Sequence, residues 1–342
     1  MTGILEVARA AGVSATTVSR ALRGLPGVSV ATRNAVVHAA ESLGYVASPT
    51  AAALPTGRTR TVGILAPWVT RWFFTAAIEG ANQVFARSGY DVLLFAADPD
   101  HDLPKPKLRM LAKRVDGLLI LNLPWVSAAI SRLASTHLQT VLIGPGPANS
   151  AAVAIDDVAV GRTAAEHLIS LGHTRIGFAG GEPDDVPHMP VAEDRRAGLS
   201  QALAAAGLEQ FAQDVYPGDF TVSAGERVAE MWLAAASRPT AIVCASDEVA
   251  MGLVHRIRAA GVNIPDELSV VGVDGHDMAR LFGLTTVEQP VREQGRLAAE
   301  MLLAAMAGEP IESKVVPTRL VVRGTTAGHR TTDSARALST HH

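Results

Sequence analysis

The first residues that could do chemistry lie in the run ATTVSRAL, at positions 15–22. At helical spacing, one face of this run carries Ala15, Thr16, Ser19 and Arg20. An arginine can donate two parallel hydrogen bonds to guanine O6 and N7. A threonine hydroxyl can bond a base edge or a phosphate, and an alanine methyl can contact a thymine methyl. The pattern therefore favours a surface that fits the major groove of DNA.

A second group consists of aromatic and polar residues that closely follow apolar runs in the rest of the chain. Its members are Trp72, Phe73, Asn122, Asp156, Asp247 and Asp274. A carboxylate can accept hydrogens from two hydroxyl or amine groups, and an aromatic face can stack on a sugar ring or a base. Each aspartate could equally cap the helix that follows it. Ligand binding and capping remain open alternatives at each single position.

Three short helices are predicted around the first group. Apolar spacing indicates a helix over residues 4–11, which Gly12 and Val13 interrupt with a turn. Ser14 is a suitable N-cap for a second helix, and a third is predicted over residues 32–43. The expected core of this helix-turn-helix unit comprises Ala8, Val18, Val36, Val37, Ala40 and Leu43.

The charge distribution supports an anionic partner for this unit. Residues 1–60 contain six arginines and two glutamates, a net charge of +4, whereas the whole chain has a formal net charge of −3. Such a basic segment suits the phosphates of DNA. A three-helix cap with solvated arginines is the alternative that charge and spacing leave open.

Three segments, VARAAGVSATTVSRAL, VSVATR and LGY, closely resemble the DNA-binding head of the LacI/GalR (lactose-repressor) family, without a gap in their spacing. The resemblance implies that Ala15, Thr16 and Arg20 read bases. Contacts to phosphates, or helix capping, are implied for Ser14, Thr17, Ser19, Thr32 and Arg33. Gly3 and Glu6 replace the family's usual threonine and aspartate, so we expect the first helix to fray.

Residues 46–60, VASPTAAALPTGRTR, have the Pro, Thr and Gly content of a linker. The resemblance implies that this hinge forms a short helix on operator DNA, with a leucine that separates a central base step in the minor groove. Leu54 occupies that position and is the expected wedge. Ser48 and Ala52 replace the family's usual asparagine and arginine, and Pro55 is expected to end the helix early.

Residues 61–328 alternate short apolar runs with helical patterns, which is typical of parallel sheets covered by helices on both faces. The runs are TVGILAP, YDVLLFAA, VDGLLILN, TVLIG, RIGFAG, AIVCAS and SVVGVD. They are too many for one small sheet. We therefore expect two Rossmann-like lobes, at about 61–159 and 161–284, with the chain crossing back near the C-terminus. Ligands of such lobes bind outside the carboxyl ends of the strands, between the lobes.

This region also resembles the LacI/GalR family over nearly its whole length, in segments such as AAEHLISLGHTRIGFAGG, ASDEVAMGL and GVNIPDELSVVGVDG. The resemblance implies that Arg195 bonds ligand oxygens, Phe220 stacks and Asp274 grips hydroxyls or an amine. Second-rank candidates are Phe73, Asn122, Asp247 and Gln289. Arg71 and Trp72 replace the family's Asn-Pro, and Arg71 is expected either to bind an anionic ligand group or to lie exposed.

Other classes of function lack their sequence signatures. The chain has no GxxxxGK[ST] loop, no GxSxG elbow, no complete dinucleotide loop and no metal-ligand spacing of histidines. We therefore expect no enzyme activity, cofactor or metal. The single Cys244 lies in an apolar run, and neither an export signal nor a membrane-spanning run is found. A cytoplasmic protein without a membrane partner is expected.

The sequence thus predicts an α/β protein with a three-helix helix-turn-helix head at 1–45, a hinge at 46–60, two lobes of periplasmic-binding-protein type at 61–328 and a disordered tail at 329–342. We expect a transcriptional regulator, by default a repressor, that binds pseudo-palindromic double-stranded DNA as a homodimer. The expected effector is a sugar or sugar derivative. The alternatives are a nucleobase-responsive corepressor-type regulator and a constitutive DNA binder with a vestigial cleft. The head disfavours an exported sugar-binding protein.

Overall fold

The computed structural model describes residues 3–45, 58–98, 104–122, 138–147, 149–181 and 190–329, together with the single positions 128, 133 and 136. The expected wedge Leu54 and the rest of the hinge up to residue 57 lie outside the described residues. The tail beyond residue 329 lies outside them as well.

The N-terminal head contains three helices in the predicted order, α1 (Ile4–Ala10), α2 (Ala15–Leu22) and α3 (Val30–Ser42). Ser14 Oγ accepts the Thr17 N–H at 3.1 Å, which confirms the predicted cap of α2. Helix α3 begins two residues earlier than predicted, because Ser29 Oγ caps it by accepting the Thr32 N–H at 3.1 Å.

Helix α1 begins at Ile4 although Gly3 has no side chain to cap it. The Glu6 carboxylate reaches back and accepts the Gly3 N–H at 2.8 Å. A negative charge in the first turn also interacts favourably with the helix dipole. Glu6 therefore supplies half of a capping box, which opposes the expected fraying of α1.

Small aliphatic side chains from all three helices form the core of the head. This buried cluster comprises Val7, Ala8, Val18, Ala21, Val36, Ala39 and Ala40. Two predicted core residues are wrong, since Val37 and Leu43 are each 38% exposed. The inner face of α3 contains Val36 and the residues three and four positions later, so Val37 points away from it. Leu43 lies beyond the last turn, as the C-cap.

The rest of the described chain forms two lobes, each built on a six-stranded sheet. The strands are β1 (Thr61–Ala66), β2 (Asp91–Ala96), β3 (Gly117–Leu121), β4 (Gln139–Ile143), β5 (Ala152–Ala154), β6 (Ile176–Ala179), β7 (Val215–Tyr216), β8 (Ala241–Cys244), β9 (Ser269–Asp274), β10 (Thr285–Glu288), β11 (Lys314–Val315) and β12 (Arg319–Val321). Lobe 1 has the order β11-β5-β4-β3-β1-β2, and lobe 2 has β12-β10-β9-β8-β6-β7. The predicted parallel pairing is confirmed except at one edge, where β12 runs antiparallel to β10.

Helices cover both faces of each sheet, as predicted. They are α4 (Trp72–Arg87), α5 (Lys105–Ala112), α6 (Asp157–Ser170), α7 (Pro190–Ala205), α8 (Val222–Ala234), α9 (Asp247–Ala259), α10 (Ala279–Phe282) and α11 (Val291–Ala307). In lobe 1, α4 and α11 pack on one face and α5 on the other. In lobe 2, α6 and α7 face α8 and α9 across the sheet.

The chain passes between the lobes after β5, after β10 and after β11. The predicted return near the C-terminus is therefore confirmed. Lobe 2 extends beyond the predicted end at residue 284, because β10 and β12 belong to its sheet. The carboxyl ends of β1 and β3 in lobe 1 and of β8 and β9 in lobe 2 lead into residues that line one cleft.

Within the described part of the chain, no helix combines the length and the apolar character needed to cross a bilayer. The same residues contain no group of His, Cys, Asp and Glu arranged to hold a metal ion. Cys244 is fully buried in β8, and burial raises the pKa of its thiol. A buried cysteine of this kind is part of the core.

Candidate functional sites

The cleft between the lobes encloses about 510 Å³, including the part that is open to solvent. Its lining residues are Trp68, Arg71, Trp72, Phe73, Phe74, Asn122, Val191, Arg195, Phe220, Ser246, Glu248, Asp274 and Gln289. Six of the seven predicted effector residues are among them. The exception is Asp247, which is fully buried behind the cleft wall.

Asp274 ends β9 at the cleft. Its backbone φ is +129°, a conformation that L residues rarely adopt. Gln289 Nε2 donates to Asp274 Oδ1 at 2.6 Å, and Gln294 Nε2 donates to Gln289 Oε1 at 2.9 Å. Both glutamines are buried, so this chain of hydrogen bonds holds the carboxyl group in one orientation.

Arg195 lies on α7 and is buried beside the same carboxyl group. Its Nε donates to Asp157 Oδ1 at 2.8 Å, its Nη1 donates to the Ala245 carbonyl, and Nη1 lies 3.9 Å from Asp274 Oδ1. Helices α6 and α7 must approach closely for this pairing. A Cβ on Gly161 would lie 1.8 Å from the Arg195 carbonyl oxygen, so glycine is required there. Two nitrogens of the Arg195 guanidinium, Nε and Nη1, therefore already donate to acceptors within the protein.

Two buried carboxyl groups influence each other, Asp274 in the cleft wall and Asp247 behind it. Burial raises the pKa of Asp274 to about 7, with the negative charge of Asp247 adding to the rise and Arg195 opposing it. Burial also raises the pKa of Asp247 to about 6, although its Oδ2 accepts the His276 N–H at 2.7 Å. Asp247 therefore acts on Asp274 electrostatically and does not itself line the cleft.

Aromatic rings form the lobe 1 side of the cleft. Phe73 and Phe74 pack edge to face with ring centres 5.2 Å apart, and Trp68 packs on Phe74 at 5.6 Å. Phe220 lies on the lobe 2 side. The two predicted stacking residues, Phe73 and Phe220, therefore belong to opposite walls of one cleft.

Asn122 follows β3 with a backbone φ of +34°. A Cβ on Gly144 would lie 1.6 Å from Asn122 Oδ1, so the side chain packs directly against that glycine. The oxygen Oδ1 is buried and has no hydrogen-bond partner among the described residues. It is an acceptor in the cleft wall that a ligand could satisfy.

Side chains from both lobes also meet at the mouth of the cleft. Arg71 Nη2 lies 3.4 Å from Asp219 Oδ2, and its guanidinium lies 3.7 Å from the centre of the Trp68 ring. Trp72 Nε1 donates to Asp277 Oδ2 at 2.9 Å. Arg71 is thus not exposed on the lobe surface, because it lines the cleft and faces a carboxylate of lobe 2.

Several residues that line the cleft were not predicted from the sequence. Glu248 directly follows Asp247, and Trp68 follows the apolar run of β1, so both occupy the strand-end positions that carried the other candidates. Val191 and Ser246 gave no comparable signal.

For Asp156, the two alternatives were ligand binding and helix capping. Asp156 is a helix cap, because its Oδ1 accepts the Ala159 N–H at 2.8 Å.

On the head, Thr16 and Arg20 are exposed on α2, as predicted. Ala15 and Ser19 are only half-exposed, and Ala15 packs against the core. Arg20 Nη2 donates to the Pro26 carbonyl at 2.6 Å, and Arg33 Nη2 donates to the Leu25 carbonyl at 3.0 Å. These bonds hold the loop between α2 and α3. The predicted phosphate contacts Ser14, Thr17 and Thr32 all belong to helix-capping groups.

Two family models match the chain. Residues 3–48 match bacterial regulatory proteins of the lacI family, and residues 165–326 match the periplasmic binding protein-like domain. The HTH-type transcriptional repressor PurR of Photobacterium profundum is 34% identical over 331 residues, which cover 94% of this chain and 98% of that protein. The chain belongs to the LacI family of bacterial regulatory proteins.

Solved structures of LacI-family regulators share the fold. A LacI family transcriptional regulator from Enterococcus faecium with bound ribose has a TM-score of 0.70 and 29% identity, covering 79% of this chain and 100% of that chain. The lac repressor dimer bound to operator and the anti-inducer ONPF has a TM-score of 0.82 and 24% identity, covering 95% and 99%. The predicted combination of a helix-turn-helix head with two lobes of periplasmic-binding-protein type is confirmed, and this LacI-family protein is a DNA-binding transcriptional regulator.

The raised pKa of Asp274 predicts a pH dependence of stability. The pKa of Asp274 in the folded state, about 7, exceeds that of an unfolded aspartate, about 3.9. The protonated carboxyl group therefore stabilises the fold. This contribution is fully present below about pH 4 and is lost as the pH rises through about 7. Asparagine mimics the neutral form. The melting temperature of Asp274→Asn minus that of the wild type is therefore expected to increase between pH 5 and pH 8 in calorimetry without ligand. Asp266→Asn, at an exposed position, is the control, and a constant difference for Asp274→Asn would contradict the assignment.

Proposed function

We propose that this LacI-family protein is a cytoplasmic repressor whose homodimer binds a pseudo-palindromic operator and whose operator affinity depends on a small molecule in the inter-lobe cleft. One observation carries the proposal. A single chain joins a helix-turn-helix head with Thr16 and Arg20 exposed on α2 to a cleft whose polar groups come from two lobes. DNA and a small molecule thus have separate candidate sites.

The proposed contacts on the head follow from side-chain chemistry and position. Thr16 and Arg20 are placed to contact base edges, with Ala15 beside them at the start of α2. Arg20 uses one of its five donors on Pro26, which holds the side chain beside the loop and leaves other N–H groups for guanine. The proposed phosphate contacts are Ser14, Thr17, Ser19, Thr32 and Arg33. Leu54 remains the proposed minor-groove wedge of the hinge.

A ligand in the cleft would act by bridging the two lobes. Phe73 and Asn122 belong to lobe 1, whereas Arg195, Phe220 and Asp274 belong to lobe 2. A ligand that contacts both sets stabilises the closed arrangement over an open one. Coupling free energies between two sites are typically about 1 to 3 kcal/mol, which corresponds to a change in operator affinity of about 5-fold to 150-fold.

The proposed effector is a small ring with several hydrogen-bond donors. The cleft offers the acceptors Asn122 Oδ1, Asp274 and Glu248, together with aromatic faces on both walls. A sugar or sugar derivative fits this chemistry, and a relative of this fold holds ribose. A nucleobase is the second candidate, favoured by the similarity to PurR repressors. The unsatisfied Asn122 oxygen argues against a vestigial cleft.

Exposed apolar side chains support dimerisation through both lobes. Leu94 lies on the edge strand β2 of lobe 1, and Leu281 on α10 of lobe 2 is 76% exposed. A two-fold axis that pairs such surfaces would place two heads on two half-sites. The proposed interface therefore includes β2 and α10.

Leu281→Glu is expected to shift the protein from dimer towards monomer, because the new carboxylate would have to be desolvated at the interface. Sedimentation velocity over a concentration series measures the shift. Val322→Glu changes another exposed apolar residue in the same way and is the control. A dimer of Leu281→Glu as stable as the wild type would show that α10 lies outside the interface.

Arg20→Ala is expected to weaken operator binding by about 1 to 3 kcal/mol and to relax preference at one base position. Fluorescence anisotropy on an operator selected from a random pool, and on its single-base variants, measures both effects. Arg9→Ala, which removes the same charge from the end of α1, should retain the base preference. An equal loss of affinity on every sequence in Arg20→Ala would contradict base recognition by Arg20.

The affinity of the wild type for DNA should also fall steeply as the salt concentration rises, because of arginine contacts to phosphates.

A thermal-unfolding screen of the purified protein against sugars, sugar phosphates, nucleobases and nucleosides tests the cleft. A ligand at 100 times its dissociation constant stabilises the fold by about 2.7 kcal/mol, which raises the melting temperature by several degrees. The hit should change operator affinity, and Phe220→Ala should abolish both effects. Phe211→Ala, outside the cleft lining, is the control. A hit that stabilises Phe220→Ala equally well would bind elsewhere.

A further inference from the structure

Asp277 lies in lobe 2, in the turn between β9 and α10, and its carboxylate is bound by side chains of lobe 1. Trp72 Nε1 and Arg292 Nη2 each donate to Asp277 Oδ2 at 2.9 Å, and Arg292 Nη1 donates to Oδ1 at 3.2 Å. Hydrogen bonds from Arg292 and Trp72 lower the pKa of Asp277, so the group is ionised at neutral pH. Trp72 begins α4 and Arg292 lies in the first turn of α11. One carboxylate of lobe 2 therefore joins two helices of lobe 1.

The ring and the backbone of Trp72 make further contacts with lobe 2. The Trp72 ring packs on the His276 ring, with ring centres 4.8 Å apart. The His276 N–H donates to Asp247 Oδ2 at 2.7 Å, which holds the histidine within lobe 2. The Trp72 N–H donates to Glu248 Oε1 at 3.5 Å, at a helix start that has no side-chain cap from α4 itself. Lobe 2 thus supplies an acceptor for an N–H group in the first turn of α4.

The charges that meet at this junction are complementary. Lobe 1 contributes guanidiniums and the positive end of the α4 dipole, whereas lobe 2 contributes carboxylates. The clasp, as we name this junction, consists of Arg71, Trp72 and Arg292 of lobe 1 and Asp219, Glu248 and Asp277 of lobe 2. Opposite charges on two facing surfaces attract each other, and dissolved salt screens this attraction where the groups are exposed.

Two members of the clasp also have a partner within their own lobe. Arg292 Nε donates to Glu79 Oε2 of lobe 1 at 2.7 Å, and Arg227 Nη2 donates to Asp219 Oδ1 within lobe 2 at 3.1 Å. These contacts do not cross the cleft, so separation of the lobes leaves both groups paired. Asp277 differs, because among the described residues both side chains that donate to it belong to lobe 1. Its hydrogen bonds to side chains therefore exist only while the lobes are together.

We propose that Asp277 is a positioning residue that holds the lobes closed through Trp72 and Arg292, so that the charges of the protein itself contribute to closure of the cleft. The inference deepens the proposed function and rests on it, since a bridging ligand then adds to contacts that the lobes already make. Trp72 directly precedes Phe73, whose ring lines the cleft, so the clasp also fixes part of the effector site. Arg71 and Trp72, which replace the family's usual Asn-Pro, thereby acquire a role in closure.

Double electron–electron resonance on the full-length protein tests the proposal by measuring the distance between the lobes. Spin labels on Asn82→Cys in α4 and Ser223→Cys in α8 report on lobes 1 and 2, because both positions are exposed and the native Cys244 is fully buried. Dilution of labelled chains with unlabelled wild-type chains keeps each distance within one protomer. The wild type should show one distance at about 0.1 M NaCl and an increasing second distance, from opened lobes, towards about 1 M, because salt screens the clasp.

Asp277→Ala is expected to raise the ratio of opened to closed lobes about fivefold at a salt concentration where the wild type shows both distances. Asp277→Asn should give an intermediate ratio, because it keeps an oxygen for Trp72 Nε1 but removes the charge that faces Arg292. Asp266→Ala removes the same charge from another exposed position of lobe 2 and should leave the ratio unchanged. The Asp277 side chain is 58% exposed, so its variants should keep the wild-type fold, which circular dichroism checks.

The outcomes separate this inference from the proposed function. Equal distance distributions for the wild type and Asp277→Ala would overturn the assignment of Asp277. A wild-type distribution that does not change with salt would overturn electrostatic closure. In both cases the cleft remains a candidate effector site, because the thermal-unfolding screen tests ligand binding independently of the clasp. An equal rise of the ratio in Asp266→Ala would show that the net charge of lobe 2, and not Asp277, controls closure.

Discussion

Asp274 is the last residue of β9, a strand that is buried along its length. Neighbouring groups must therefore compensate for the hydration that the Asp274 carboxyl group has lost. Arg195 approaches from α7, and Gln289 donates from the crossing after β10. Gln289 is held in turn by Gln294, which lies on α11 and packs within lobe 1. The hydrogen-bond chain that orients this one carboxyl group therefore extends from lobe 2 into lobe 1. Buried hydrogen bonds thus connect Asp274 with α11, the helix that packs against α4, where Phe73 lies.

The contacts that hold the lobes together at the cleft mouth are polar and partly exposed. They include Arg71 with Asp219, Trp72 with Asp277 and Arg292 with Asp277 at 2.9 Å. Partly exposed ion pairs contribute about 0 to 1 kcal/mol each, and a hydrogen bond such as that of Trp72 about 0.5 to 1.5 kcal/mol. Their sum is comparable with the coupling free energies of about 1 to 3 kcal/mol that small ligands exert. A ligand that bridges the walls can therefore decide between closed and open lobes, whereas a large apolar interface would leave it little influence.

The sequence predicted the features that depend on local spacing. Ser14 caps α2 because its oxygen needs only the next three residues, and the strand-end rule located Asn122 and Asp274 because parallel strands end at one edge. Features that depend on rotation about an element were missed. Val36 and its neighbour Val37 look equally apolar in sequence, yet only Val36 faces the core.

The same limit applies at the start of α9. Asp247 and Glu248 are adjacent acids after one strand, and the helix turns the first inward beneath β9 and the second into the cleft. The family resemblance pointed to Asp247, and only the three-dimensional packing distinguishes their surroundings. The antiparallel β12 was missed because it forms by a long-range return of the chain, for which three residues of sequence carry no signal.

The connection between the cleft and the head passes through lobe 1. Asp116, just before β3, accepts the Thr59 and Arg60 N–H groups at 2.6 and 2.9 Å and the Thr59 hydroxyl at 2.8 Å. A carboxylate with three donors at this position fixes the end of the hinge to the central part of the lobe 1 sheet, since β3 pairs with β1. Rotation of the lobes must therefore carry Thr59 and Arg60 with lobe 1. In the proposed dimer, the spacing of these two attachment points follows the spacing of the two copies of lobe 1, and a ligand that changes that spacing would change the fit to the operator without contact to the head.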